Sequence, residues 1–222
     1  MRCERLIIAN VMNRLKYIFL LLVAVMCNAQ ARTPIRQWFV AMPDSVMPLL
    51  TKNNRLDFID FLDSRMEAIV TNRLDGKSRM ATLTDDYLLI NYTKSCDVAM
   101  KLLPINDTTD VLCMVSTVRA MVDDSRVTFF DEVWRSLDAA TLLEEPVLDD
   151  FRSAERGDSA DGAWGKMDVF FKTYRLSPDD ASMVCRLTTL DYLNEEDREA
   201  VLPYVSGDSL VFTWVEGRYS KR

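Results

Sequence analysis

The sequence predicts an α+β fold, in which helices pack on an antiparallel β-sheet made of a meander, a C-terminal hairpin and a last strand. From residue 79 to residue 130, apolar and polar residues alternate with the period of two that strands require. Turns rich in Asp and Ser separate these runs, and strands so close together are most simply joined as an antiparallel meander. Helical spacing of apolar residues after residue 53 and a helix start at Asn194 supply the helices.

A helix is predicted from about residue 53 to the turn at Asp75-Gly76. Its apolar residues recur at helical spacing and keep to one face, so Leu56, Ile59 and Phe61 are expected in the core. The neighbouring charged residues, Arg55 among them, are expected to fix the helix through ion pairs or caps rather than to perform catalysis.

Alternation and turn chemistry define the remaining elements. Five strands are expected in the meander: 79–84, 87–93, 97–103, 111–119 and 126–130. The rest of the chain is predicted to hold a short helix, an exposed loop, a hairpin, a helix capped by Asn194 and a last strand: 132–139, 152–165, 166–175 with 181–190, 194–206 and 210–219.

Residues 12–31 have the three-part layout of a secretory signal peptide. A short basic stretch follows Met12, an unbroken apolar run covers 17–26, and small residues stand at Ala29 and Ala31. The apolar run is too short to span a bilayer as a helix. The segment is therefore predicted to direct export and then to be removed.

Removal of residues 1–31 would leave 32–222 as a single mature α+β domain in the periplasm, at the outer surface or secreted. An acidic residue and a second apolar patch precede the basic stretch, and initiation at Met12 explains both. Lipid attachment at Cys27 is an alternative, although the bulky Met26 stands where a small residue is needed.

The chain is acidic and contains no histidine. Its formal net charge is -7 and no basic patch reverses it, so nucleic acid and anionic membrane surfaces are not expected partners. The lack of histidine excludes Ser-His-Asp and Cys-His catalysis and the usual histidine-containing zinc sites. The sequence has no phosphate-binding loop, dinucleotide fingerprint or Cys-x-x-Cys motif, and no cofactor is expected.

Three cysteines remain after removal of the leader: Cys96, Cys113 and Cys185. An odd number in an exported protein leaves at least one free thiol or an intermolecular bridge. Each cysteine lies in an apolar, strand-like run, so three buried thiols are predicted. One disulfide involving Cys185 is the alternative.

Two acidic patterns resemble known sites but lack essential groups. The segment 157–168 places Asp161 and Gly162 at calcium-loop positions, but a glycine stands at the first ligand position. Carboxylate pairs such as Asp85-Asp86 and Asp149-Asp150 are adjacent residues in turns, whereas glycoside hydrolysis needs two carboxyls that face each other across a cleft. Solvated acidic turns, with no metal site, are the better interpretation.

Trp164 is the candidate for contact with a ligand. It lies in the glycine-rich segment 152–165, which is predicted to be an exposed loop. Trp134 and Trp214 lie in amphipathic runs that are typical of a core instead.

Several motifs along the chain resemble those of a known family. They are Met42-Pro43-Asp44-Ser45, Pro48-Leu49-Leu50-Thr51, the run 54–61, Gly76-Lys77-Ser78, Leu102-Leu103-Pro104, Asp124-Ser125, Phe130 and Trp134. Together they are similar to a domain of unknown function, DUF3256, of exported proteins from anaerobic Gram-negative gut bacteria. The resemblance covers nearly the whole mature chain. It implies export and a single unit, and it brings no activity and no site residues.

The leading functional hypothesis is a monomeric or weakly associating, non-enzymatic binding or accessory module, whose partner is a protein or a glycan at the cell envelope. The alternative is a hydrolase that acts on extracellular polymers through paired carboxylates brought together by the fold. Raised carboxyl pKa values in one concave pocket would favour the hydrolase. A flat or edge-strand apolar patch would favour the binding module.

The processing prediction can be tested directly on protein recovered from cells. Cleavage is expected between Ala31 and Arg32, because Ala29 and Ala31 are the small residues that a signal peptidase requires. N-terminal sequencing should therefore begin at Arg32. An intact leader, or a lipid on Cys27, would contradict the prediction.

Overall fold

The fold is α+β, as predicted, with helices packed on two antiparallel β-sheets. The computed structural model describes residues 32–154 and 157–222, of which Thr33–Arg222 form one compact unit. The predicted leader, with Cys27 and the cleavage-site alanines, lies outside the described residues. Within the described residues the α-helices are α1 (Ile35–Ala41), α2 (Lys52–Asp63), α3 (Ala139–Leu142), α4 (Asp158–Trp164) and α5 (Glu195–Val201).

The first sheet is a meander in which each strand pairs with the next along the chain. Its seven strands are β1 (Ile69–Thr71), β2 (Lys77–Leu83), β3 (Tyr87–Thr93), β4 (Cys96–Pro104), β5 (Asp110–Val118), β6 (Asp124–Phe130) and β7 (Ser136–Leu137). The five predicted meander strands correspond to β2–β6. The strands at the two edges, β1 and β7, are additional.

The C-terminal strands form a separate second sheet in the order β11-β10-β9-β8. They are β8 (Lys172–Leu176), β9 (Ser182–Leu187), β10 (Ser209–Val215) and β11 (Arg218–Lys221). Edge strand β8 contacts β4, β5 and β6, so the second sheet stands against one face of the first.

Both faces of the first sheet are buried. Side chains such as Met100 and Leu112 belong to a core shared with α1 and α2, whereas their neighbours Cys113 and Phe129 belong to a core shared with the second sheet. Alternate residues of a strand point to opposite faces, so the same strands supply both cores. The protein therefore has three layers: the N-terminal helices, the first sheet and the second sheet.

Lys101 on β4 is the charged exception inside these layers. Its side chain is 2% exposed, and its Nζ lies 2.9 Å from Asp86 Oδ2. The same Nζ donates to the carbonyl oxygen of Pro178, in the turn between β8 and β9, at 3.2 Å. The ammonium group thus ties the first sheet to the second and has acceptors from both.

Helix α2 buries a different face from the one predicted. Leu56 is 40% exposed, and Ile59 and Phe61 are only partly buried, whereas Phe58 is fully buried. The expectation that Leu56 lies in the core is therefore wrong. Arg55 is buried beside Phe58, and its guanidinium turns this side of the helix toward the preceding segment.

The Arg55 guanidinium holds residues 42–50 in place, which is the anchoring role expected of it. It donates to the carbonyl oxygen of Leu50 at 2.7 Å, to the carbonyl oxygen of Met42, and to Asp44 Oδ1 at 3.0 Å. Backbone acceptors that are shielded from water need such a donor, because leaving them unpaired destabilises the fold.

Helix α2 also ends at Asp63, twelve residues before the turn predicted at Asp75-Gly76. Arg65 adopts a left-handed φ of 58°, and the amide of Met66 donates to the carbonyl oxygen of Phe61 at 2.8 Å. This is the Schellman arrangement, which glycine usually provides. The segment after it extends into β1 instead of continuing the helix.

Three further predictions need correction. The helix predicted at 132–139 is a turn around Trp134, whose φ is 63°, followed by β7. The loop predicted at 152–165 contains α4. The last strand is a hairpin, because Glu216 and Gly217 both adopt positive φ and reverse the chain between β10 and β11.

Substitution of Arg55 tests its anchoring role. Arg55→Met is expected to lower the free energy of unfolding by about 3 kcal/mol, because two backbone carbonyls lose their donor. The matched control is Arg36→Met, which should cost less than about 1 kcal/mol because the ion pair between Arg36 and Asp63 is exposed. Urea denaturation measures both, and equal losses would contradict the prediction.

Candidate functional site: the inter-sheet cleft

A cleft opens where the second sheet meets the first. Tyr174 and Cys185, on one face of β8 and β9, pack on one part of the first sheet. Arg175 and Val184 lie on the opposite face of the same two strands and border the part of the first sheet that is left uncovered. The space between these walls, here called the inter-sheet cleft, has a volume of about 430 Å³. Ligand cavities of roughly 300–1,000 Å³ are typical, so this one suits a small ligand or a small part of a large one.

The floor of the inter-sheet cleft is apolar. Leu89, Ala99 and Val115 lie side by side on β3, β4 and β5, because Ala99 pairs with both of the others in the strand register. Val184 faces the cleft from the second sheet. Ala99 has the smallest of these side chains and therefore leaves room above the centre of the floor.

One rim of the cleft is held in place by its own hydrogen bonds. Arg119 lies 2.7 Å from Asp97 Oδ1, which also accepts a hydrogen bond from Asn91 Nδ2 at 2.9 Å. The hydroxyl of Thr117 is 2.7 Å from that of Ser125. These groups are already paired, so they shape the cleft more than they offer free binding capacity.

The other rim carries two arginines on one face of the second sheet. In the register of β8 and β9, Arg175 pairs with Val184 and Arg186 pairs with Thr173, which puts both guanidinium groups on the same side. Arg186 lies 3.4 Å from both Asp191 and Asp208.

Arg175 is the free cation of the cleft. It is exposed and makes no hydrogen bond or ion pair with any residue in the described part of the chain. Its positive charge nevertheless acts on Tyr87, which also lines the cleft. Burial raises the pKa of Tyr87, and the nearby Arg175 guanidinium opposes that rise because it favours the phenolate.

Trp164 does not lie where a ligand contact was predicted. The segment forms α4, and the indole is 7% exposed within the core that the two sheets share. Its Nε1 donates to Asp149 Oδ1 at 2.9 Å, and the Arg152 guanidinium covers its ring. The exposed loop that was predicted to present Trp164 is therefore wrong, whereas a ligand contact at this residue stays a prediction.

The calcium-like segment is helical as well. Asp161 lies within α4 and pairs with Arg152, so the ligand-bearing loop that a calcium site requires is not formed there. Across residues 32–154 and 157–222, no group of three or more acidic or cysteine side chains could hold a metal ion.

The paired carboxylates of the turns are spread over separate ion pairs. Asp86 binds Lys101, Glu145 binds Lys172, and Asp150 binds Lys221 at 2.8 Å. Burial acts to raise the pKa of Asp150, but hydrogen bonds from Lys221 and from the Val147 amide lower it below its ordinary value. These ion pairs connect separate elements of the fold.

No sequence motif marks the residues that form the inter-sheet cleft. Arg175 and Arg186 stand in runs that were assigned only as strands, and no local motif distinguishes them. The alternation of Thr173 and Arg175 with buried Tyr174 places them on an outer face. The residues that lie opposite this face depend on how the two sheets pack against each other. The sequence of a single strand contains no information on that packing.

The three cysteines of the described chain are free, so the disulfide alternative for Cys185 is wrong. Cys113 and Cys185 are buried, whereas Cys96 is only partly buried, which corrects the expectation of three buried thiols. Burial raises the pKa of all three thiols, and that of Cys185 to about 12. Thiols held in the protonated form are poor nucleophiles and poor metal ligands.

The fold and cleft define a two-sheet α+β protein with a small cleft lined in part by arginines. Residues 26–219 match the family described as "Protein of unknown function (DUF3256)", and the chain belongs to that family. It is also similar to the solved structure of a domain of an uncharacterized protein from Porphyromonas gingivalis W83. The sequences are 25% identical, the TM-score is 0.76, and the match covers 85% of this chain and 98% of the other.

No curated protein matches the chain. Every helix within the described residues is too short or too polar to cross a lipid bilayer.

The thiols provide a prediction that needs no ligand. A chromogenic thiol reagent should titrate about three thiols in the denatured mature chain, because none is in a disulfide. In the folded protein Cys96 should react first, since Cys113 and Cys185 are buried and protonated. The control Cys96→Ser should remove only the faster phase. A titre of one thiol in the denatured wild type would overturn the assignment.

Proposed function

We propose that this protein is a non-enzymatic binding module of the cell envelope, with the inter-sheet cleft as its binding site. Its partner is a protein or a glycan, part of which enters the cleft. The observation that carries the proposal is the free guanidinium of Arg175 above an apolar floor in a cavity of about 430 Å³. Cavities that combine an apolar lining with a few directed polar groups are the usual form of a ligand site.

Export supports the location of this function. The layout of residues 12–31, with the small residues Ala29 and Ala31, is that of a cleaved signal peptide. A mature protein that begins at Arg32 would work in the periplasm or at the outer surface. There a protein without a cofactor can act by binding alone.

The hydrolase alternative has less support from the carboxyl groups. Glycoside hydrolysis needs a carboxylic acid whose pKa is raised so that it can donate a proton. Among the described residues, the carboxyls with a shifted pKa are Asp131, Asp150, Asp180 and Asp197, and each is shifted downward. Of the two carboxylates at the cleft, Asp97 is engaged by Arg119 and Asn91.

Filling the cleft tests the proposal. The mature protein is titrated with polygalacturonate, hyaluronan, dextran, lipopolysaccharide and casein, and binding is followed by thermophoresis. At least one probe should bind the wild type, and Ala99→Trp should weaken that binding about tenfold or more, because the indole occupies the cavity above the floor. Ala99→Leu is a milder variant should the tryptophan impair folding.

The matched control is Ala140→Trp, on the exposed side of α3 and outside the cleft, which should bind as the wild type does. Release of reducing ends or amino groups that Ala99→Trp abolishes would establish the hydrolase instead. If no probe binds, or if both tryptophan variants lose binding equally, the cleft is not the site.

A further inference from the structure

We propose that the inter-sheet cleft recognises a saccharide that carries a carboxylate, such as a uronic acid unit. The carboxylate would bind Arg175, and neighbouring sugar hydroxyls would bind Asp123 on the opposite rim. This inference rests on the proposed binding function and names the class of ligand.

The charge of the cleft differs from that of the chain. The whole sequence has a net charge of -7, yet three arginines and two aspartates line the cleft: Arg119, Arg175, Arg186, Asp97 and Asp123. Arg119 is neutralised by Asp97, and Arg186 is shared between two carboxylates outside the lining set. Arg175 alone keeps an uncommitted guanidinium, whose planar fork matches the geometry of a carboxylate.

Asp123 limits how much negative charge a ligand can bring. Its carboxylate forms no ion pair or hydrogen bond with the described residues, while its backbone carbonyl accepts a hydrogen bond at 2.8 Å from the buried Thr188 hydroxyl. A carboxylate so placed repels a second acid but accepts hydrogen bonds from hydroxyls. The rim therefore suits one acidic group surrounded by hydroxyls, which describes a uronic acid better than a run of acidic residues.

The shape of the cleft also favours a sugar over an extended peptide. A peptide would gain affinity by adding a strand to an open edge. The edge strand that borders the cleft, β8, lies against the first sheet, and the Lys172 amide donates to Asp124 Oδ1 at 3.3 Å. The cleft instead offers the faces of strands, where an apolar floor can contact the apolar side of a ring. Thr173 and Ser209 add hydroxyl groups near its rim.

A saccharide acid and its uncharged methyl ester can be compared to measure how much the carboxylate contributes to binding. A neutral oligosaccharide that carries one galacturonic acid unit, the methyl ester of the same oligosaccharide and a tetraglutamate peptide are titrated into the mature protein by calorimetry. The free acid is expected to bind about tenfold or more tightly than the ester, because only the acid forms a charge-assisted pair with Arg175. The advantage of the acid should shrink as salt is added.

Arg175→Gln should remove this preference, because the loss of affinity should fall mainly on the free acid. The control is Arg218→Gln, since Arg218 is an exposed arginine on β11 outside the cleft, and this variant should keep the preference. Equal binding of acid and ester, loss of both ligands in Arg175→Gln, or tighter binding of the peptide would overturn the inference. So would binding of none of the three. In each of these cases the proposed binding function would still stand if Ala99→Trp weakened the binding of another of the probes named for the cleft-filling experiment.

Discussion

The fold depends on the burial of both faces of the first sheet. Its central strands present large apolar side chains on both sides, so neither side can be left to water. The N-terminal helices cover one face and the second sheet covers part of the other. Edge strand β8 makes the broadest contact with the first sheet, and Trp214 on β10 stacks on Phe129, but part of this face is left uncovered. The inter-sheet cleft is the part of that face which remains open, and its apolar floor follows from the same alternation that builds the core.

Two buried cations fix the covering layers in place. Arg55 binds the turns between α1 and α2, and Lys101 joins the meander to the β8–β9 turn. Each pairs with acceptors from separated parts of the chain, which favours one arrangement of the layers over other compact arrangements. Lys101 lies two residues along β4 from Ala99, a floor residue of the cleft. The contact between sheets and the width of the cleft are therefore set at the same place.

The meander could be predicted because its signals are local. Alternation and turn residues located β2–β6, and the Asn194 cap located α5, whose Asp197 amide donates to Asn194 Oδ1. The end of α2 could not be predicted in this way, since Arg65 takes a left-handed position where a glycine would have been the signal. Trp164 was misassigned for a related reason, because glycines around it suggested a loop where a short helix forms. The cleft required knowledge of which strand faces oppose each other, and no local pattern contains that.

A site built on strand faces has consequences for how it can work. Catalytic groups usually stand on loops at the ends of strands, where they can approach a substrate from several directions. The floor of the inter-sheet cleft consists of paired strands, and one of its rims is held by the Arg119–Asp97 pair. Such a surface loses little freedom when a ligand binds, so a few contacts can produce useful affinity. Arg175 and Asp123 are the charged lining groups whose side chains have no partner among the described residues, so under the proposed function they are the groups through which the cleft would distinguish one ligand from another.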